Sequence, residues 1–491
     1  MTELQHAAKA TRPRIQPAEE GDRRPLSVSA RLGRLQFHQS GKFRVLQFAD
    51  IQDGPKVSKD TISLIEASLD ATRPDLVIFN GNQIAGYDSA YALTSRKRRW
   101  DARPASASSE ASGERYAAAL EHTRELVRAT IEQLVHPLAD RGVPWAVTFG
   151  NHDFQCGLDN AEIESICREF PGCINPERAA DGTTGIAVKH GVKHDVKHDV
   201  GDMEQDFGLP EQPVIACAPG TFALSVTDVD RTYDVLGLVL LDSGDYARSG
   251  GYGSPSEAAL RFLADAPGLM AAQSQQLQQD RQDEQDSPRE PRKTPSTLPC
   301  MVFQHFPIEQ YYRLLKPVAA TAARAIEGYR NFAGRHFVLN EDKTQPGSYL
   351  GEGVSCPDAD SGEFAILDKA GYFAISAGHD HRNAFVGSVP VGTDGDRQMM
   401  MVASPTSGFG SYGPVPAKRA ARLFEFDIRH PYEPRTQLLE YDELVGKPSA
   451  GKAYAYGMTS ESKPDSEGMD LLHRPTWWSK TWNKLVSLFR R

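Results

Sequence analysis

Cysteine is scarce in these 491 residues: there are six, at Cys156, Cys167, Cys173, Cys217, Cys300 and Cys356, with no CxxC spacing. That pattern excludes a zinc ribbon and a disulfide framework and fits a reducing compartment. Long apolar runs are missing as well. Met1 to Arg24 is polar and charged with no apolar centre, and no other stretch reaches membrane-spanning length. Neither a signal peptide nor a transmembrane helix is expected, so the chain reads as cytoplasmic. Positive charge is not in excess. The formal net charge is −10, with no concentrated basic patch around the polar clusters, which argues against nucleic acid as a general partner.

What the chain has instead is a repeated juxtaposition. The apolar runs Phe43 to Ala49, Leu76 to Asn80, Trp145 to Phe149, Met301 to Gln304 and Tyr372 to Ala377 have buried-strand length and are rich in Val, Ile and Phe. Each is followed at once by polar residues: Asp50-Ile51-Gln52, Gly81-Asn82-Gln83, Gly150-Asn151-His152-Asp153, His305, and Gly378-His379-Asp380-His381. In open α/β sheets ligands gather beyond the carboxyl ends of the strands, so five such clusters can converge on one edge. Taken singly, Asp50 reads as a turn or cap residue and His305 as a satisfied interior imidazole. Together they read as a site.

Residues 1–40 read as an irregular leader, 41–445 as one catalytic-type domain, and 446–491 as a linker and terminal helix. A helix is expected from Lys59 to Arg73, with Ile62, Ile65 and Leu69 on one face, and a longer one from Arg115 to Arg141. Phe222 to Asp228 and Tyr233 to Leu241 read as a hairpin ending in Asp242. Gln398 to Ala403 and Arg422 to Ile428 add strands, so two sheets are implied. Insertions are expected near 88–113, 181–213 and 271–298. The second carries the tandem Val192-Lys193-His194-Asp195, Val196-Lys197-His198-Asp199 after His190, read as a duplication in a solvated loop with metal binding as the alternative. The third is polar and reads as disordered or a frayed helix. Trp478, Trp482, Leu485 and Phe489 at helical spacing among Lys and Arg form a basic amphipathic helix, suited to an anionic membrane surface or to a protein face.

Asp, Asn and His donors without cysteine suit Zn, Mn or Fe. Two such ions roughly 3.5–4 Å apart can hold a phosphate and stabilise both attacking and leaving oxygens. With these motifs the chain resembles the calcineurin-like metallophosphoesterases, nearest their purple acid phosphatase-like branch, from about residue 43 to 428. Asn383, Phe385, Ser407-Gly408-Phe409-Gly410 and Tyr412-Gly413 also resemble that branch. The resemblance implies a four-layer α/β/β/α sandwich of two mixed sheets. It implies one metal held by Asp50, Gln52 and His381, a second by Asn151, His305 and His379, and Asn82 between them. His152 would contact the phosphate and protonate the leaving oxygen, with Asp153 orienting its ring.

Two positions depart from the family pattern, which has His at 52 and Asp at 82. Gln52 offers a carbonyl oxygen in place of imidazole, and Asn82 lacks the bridging negative charge. Divalent ions 4 Å apart repel by roughly 16 kcal/mol at an effective dielectric near 20 before ligands offset it. The first site is therefore expected to be weak or filled only with substrate. The expected function is a metal-dependent phosphoesterase acting through metal-activated water on a phosphate ester. The alternative is a catalytically silent relative that binds a phosphorylated ligand or a protein partner. Asp53, Asp242 and Tyr412 are read as turn or pocket residues.

Overall fold

The strand expectations resolve into two large mixed sheets. The computed structural model describes residues 24–101, 110–177, 208–285, 296–447 and 460–461. In the first sheet the strands lie in the order His430–Glu440, Ala420–Asp427, Lys42–Phe48, Leu76–Asn80, Trp145–Thr148. The last three are parallel, and the first two run antiparallel along their edge. The second sheet runs Val386–Val391, Arg397–Ala403, Tyr372–Ala377, Cys300–Gln304, Asp234–Leu241, Thr221–Thr227, Val214–Ala218. Its central strands are parallel and its margins antiparallel.

The central strands read as near-continuous apolar runs because both faces are covered. One hydrophobic cluster joins the sheets: Val45, Ile78 and Phe424 of the first meet Leu238, Phe303 and Ala374 of the second. Odd and even positions of Lys42–Phe48 part company accordingly. Val45 belongs to this cluster, whereas Leu46 and Phe48 belong to one shared with Ile65 and Leu69 of the helix Lys59–Thr72 and with Val127 and Leu134 of the helix Glu110–Asp140. A third cluster packs the helices Glu257–Gln285 and Glu363–Ala370 on the second sheet through Phe262, Leu263, Met270 and Leu367.

Three segments expected to be irregular carry structure. Residues 24–40 include a short helix, Val28–Leu32, capped by Ser27, and Leu35 and Phe37 are fully buried in the cluster between the sheets. Asp75 pins this segment, accepting from Ser29 N and Oγ and meeting His38 at 2.7 Å. The helix Glu257–Gln285 continues through the first part of the 271–298 stretch, because its apolar face stays buried as far as Ala271 and the Gln, Asp and Arg that follow support propagation once a helix exists. Within the 88–113 stretch, Arg99 forks onto Asp242 at 2.8 and 3.0 Å and donates its backbone N–H to Asp245. The His repeat and the Trp-rich tail lie outside the described residues.

No described helix is long and apolar enough to cross a membrane. All six cysteines are free thiols, five of them buried.

Candidate functional site

The five cluster-bearing strands, three in the first sheet and two in the second, bring their ends together, and the chain turns sharply after three of them. Asp50, Gln52, Asn82 and His379 all have positive φ, at 52°, 44°, 55° and 70°. Left-handed backbone at residues other than glycine costs about 1–3 kcal/mol each, and it persists where surrounding contacts over-determine it. Here the turns fold the polar side chains back over the strand ends. Gly81 permits the closest approach: with φ 89°, it lies so near His305 that a Cβ would stand 2.5 Å from Nδ1.

Asp50 is the hub and is fully buried. Its Oδ2 accepts the His379 backbone N–H at 2.6 Å. Around Oδ1 stand Asn82 Nδ2 at 3.1 Å, His381 Nε2 at 3.3 Å, Gln52 Nε2 at 3.4 Å and His305 Nε2 at 3.7 Å. Burial pushes this carboxyl up, but the imidazoles of His305, His381 and His379 outweigh it and hold Asp50 well below the usual carboxylate range. His381 is fixed by Tyr412, whose carbonyl lies 2.6 Å from Nδ1 and whose ring stacks on the imidazole at 4.2 Å. Burial lowers the basicity of His381, and Asp50 more than restores it.

The other half of the pocket is built from Asn151, His152, His305 and His379. His305 Nδ1 donates to the Asn80 carbonyl at 3.1 Å, which leaves Nε2 with its lone pair facing Asn151 Oδ1 at 3.2 Å. His379 Nδ1 lies 3.4 Å from Asp380 Oδ1, which likewise leaves its Nε2 free of the proton. Burial holds His152, His305 and His379 at about 4, so all three are neutral near pH 7. Asn151 turns its oxygen toward His305 because Asn82 Nδ2 donates to that oxygen at 3.3 Å, while Asn151 Nδ2 meets the Tyr246 hydroxyl at 2.9 Å.

The ring of His152 is oriented by Gln155 and not by Asp153. Nδ1 meets Gln155 Oε1 at 2.7 Å, and the Gln155 amide is itself set by donating to the Lys97 carbonyl at 3.0 Å. Asp153 faces the other way, accepting the backbone N–H groups of Asn82, Gln83, Ile84 and Gly150 at 2.7 to 3.2 Å. It ties the second cluster to the third, and burial pushes it up to about 7 against the pull of those four donors. The reason is distance along the turn: residues 153–156 form a 3₁₀ turn that brings position 155 under the imidazole and leaves position 153 beneath the strand ends.

Residues without a motif complete the pocket. Tyr87 donates to Gln52 Oε1 at 3.1 Å and packs edge-on against His152. Tyr252 packs edge-on against His379 at 4.4 Å. Asp380 is held by Ser355 and Asn383, and Asn383 also accepts from Gly351 and Glu352. Asp53 turns away to Thr61 and Ser58, and Asp242 pairs with Arg99 and Asn160, so neither faces the cluster of imidazoles. The signal for the tyrosines was position alone: Tyr87 lies just beyond the second cluster and Tyr246 just beyond a strand end.

The calcineurin-like phosphoesterase family model matches residues 43–213, a span that includes the first three clusters. The chain is similar to calcineurin-like phosphoesterases, and relatives of that kind align beyond the matched span. Phosphatase DCR2 of Saccharomyces cerevisiae is 21% identical over 391 residues, covering 74% of this chain and 47% of the yeast protein, so the match spans about half of that relative. Two Arabidopsis thaliana proteins are also similar. "Probable inactive purple acid phosphatase 28" is 22% identical over 414 residues, 80% of this chain and 77% of the relative. "Probable inactive purple acid phosphatase 29" is 20% identical over 485 residues, 94% and 92%.

Calcineurin-like phosphoesterases generally use divalent metals, and the two halves of this pocket fit such ions differently. Among the described residues no three His, Cys, Asp or Glu side chains form a metal-holding group. Asn151 Oδ1, with the lone pairs of His305 and His379, is a neutral oxygen-and-imidazole set that suits a borderline divalent ion and leaves positions open. Around Asp50 the groups within reach are two amide NH2 groups and the imidazole of His381, whose Nδ1 donates to the Tyr412 carbonyl and whose Nε2 lies 3.0 Å from Gln52 Nε2. The two amide NH2 groups carry no lone pair and occupy the space around Asp50 Oδ1, one of them reaching His381 Nε2 as well, so that half does not fit a metal as it stands.

Proposed function

We propose that this pocket hydrolyses a phosphate ester with one divalent ion, Mn, Zn or Fe, held by Asn151, His305 and His379. The observation that supports it is the 3.2 Å approach of His305 Nε2 to Asn151 Oδ1, two buried acceptors turned toward each other, the first by the Asn80 carbonyl and the second by the Asn82 amide. Such an ion supplies Lewis-acid polarisation of the phosphoryl group and acidifies the attacking water. His152 stands beside this set, its Nε2 3.4 Å from Asn151 Nδ2 and its Nδ1–H donating to Gln155 Oε1. Nε2 is thus the nitrogen that meets the substrate. A phosphate anion beside it stabilises the imidazolium, raising its proton affinity from the low resting value, and the proton gained there passes to the leaving oxygen.

The silent reading is favoured by one feature, the lone carboxylate at Asp50, since a hydrolytic centre with more than one ion needs more negative charge than that. Metal per chain, measured on purified protein together with turnover of an aryl phosphate under added Mn, Zn, Fe and Mg, separates the two. One ion per chain and turnover that falls by roughly 10²–10⁴ in His152→Ala is the expected result. Neither metal nor turnover under any ion would make the protein a binder of phosphorylated ligands or of a partner chain. Free buried cysteines support a cytoplasmic setting. Peripheral membrane or protein contact through the Trp-rich tail belongs to the same proposal.

A further inference from the structure

We infer that Asn82 is a locked stand-in for a cation: it keeps a second metal out of the Asp50 half of the pocket and holds that half in shape. The inference deepens the single-ion proposal and rests on it only for the identity of the ion in the other half.

The lock is the backbone N–H of His152, which meets Asn82 Oδ1 at 2.9 Å. A backbone N–H can only donate, so the amide must present oxygen to it and NH2 to the opposite side. There Nδ2 lies 3.1 Å from Asp50 Oδ1 and 3.3 Å from Asn151 Oδ1, which uses both of its hydrogens. Turning the amide over would set NH2 against N–H and oxygen against two oxygens, losing all three hydrogen bonds at once. Nor can the side chain swing clear: it is 1% exposed, and Gly150 lies so close to Asn82 Oδ1 that even a Cβ there would collide with it. The group between the two halves of the pocket is therefore a permanent donor with partial positive charge, where an aspartate would keep the His152 contact with one oxygen and turn the other inward.

Gln52 differs in this respect. Its Oε1 meets the Tyr87 hydroxyl, which can donate or accept, so no donor-only partner locks the Gln52 amide; its NH2 is turned inward by Asp50 Oδ1 at 3.4 Å and His381 Nε2 at 3.0 Å, the groups an ion would itself engage, and it does not by itself bar an ion. Asn82 is the bar. This predicts a qualitative difference from a merely weak ligand: excess metal would eventually fill a weak site, and it cannot fill this one.

The test is Mn(II) titration of the full chain by calorimetry, with elemental analysis and electron paramagnetic resonance, on wild type, Asn82→Asp and Asn82→Ala. Wild type is expected to stop at one Mn per chain at any excess, without a spin-coupled pair. Asn82→Asp is expected to take two, with the spectrum of a coupled pair. After chelation, both variants are expected to melt lower than wild type by about 5 °C, because Asn82→Ala leaves Asp50 and Asn151 without their donor and Asn82→Asp sets a second carboxylate against Asp50. A second equivalent in wild type overturns the lock while leaving the single-ion proposal standing. Wild type without any Mn overturns the single-ion proposal instead, and the lock is then read from the chelated melts. If both chelated variants melt like wild type, the lock is wrong. Should Asn82→Asp fail to fold, the Asn82→Ala melt decides alone.

Discussion

The two halves of this pocket are made from the same kinds of residue and behave oppositely. Around Asn151, His305 and His379, each side chain has its donor end occupied elsewhere, by Tyr246, by the Asn80 carbonyl and by Asp380, so acceptors face inward. Around Asp50, the amides of Gln52 and Asn82 have their oxygens occupied elsewhere, by Tyr87 and by the His152 backbone, so donors face inward. The chemistry of a site thus depends less on which residues line it than on which end of each has already been used. On the proposals made above, an Asn would serve as a metal ligand in one half and as a cation surrogate in the other.

The largest expected effect would break that contrast. His305→Ala removes one of three donors in the acceptor half and should abolish stoichiometric metal binding, whereas Gln52→Ala in the donor half should leave metal content unchanged. Elemental analysis of the two proteins side by side checks it, and equal losses would show that the halves are not distinct. Next comes Asp153. Asp153→Ala leaves four buried backbone N–H groups without an acceptor and frees the second cluster from the third, at a cost of about 3–5 kcal/mol, read as a shift in the denaturant midpoint. If Asp153 acted chiefly on the His152 ring, turnover would fall while the midpoint stayed in place. The smallest effect is at Gln155. Gln155→Ala should lower turnover by roughly 10-fold with little change in metal content, because it releases the imidazole from its tautomer without touching a donor to the ion.

Much of this was legible in the chain. The apolar runs from Leu76 to Asn80 and from Tyr372 to Ala377 are strands with those same bounds, since strands buried on both faces announce themselves by continuous Val, Ile and Phe. The helix at Lys59–Thr72 and the hairpin of Thr221–Thr227 with Asp234–Leu241 followed from periodicity and a polar turn. Residues 24–40 were not legible as structure. Leu35 and Phe37 are two apolar residues in a polar stretch, and only the gap between the sheets gives them a place to be buried. The polar end of the helix Glu257–Gln285 left disorder and a frayed helix both open, because it is carried by the buried face of its own first turns.

For the site, the sequence by itself determined which residues stand at the strand ends, because a motif that closes each apolar run is placed by the strand preceding it. It also determined that the pocket has a single carboxylate among its inner groups at Asp50, and that Gln52 and Asn82 are amides where the family has His and Asp. Only the tertiary structure decided how those amides face. An amide offers a donor and an acceptor of nearly equal size, so its sequence position leaves both orientations open. The partner that settles Asn82 is the backbone N–H of His152, a group every non-proline residue carries and no motif records, brought within reach across 70 residues by the packing of neighbouring strands.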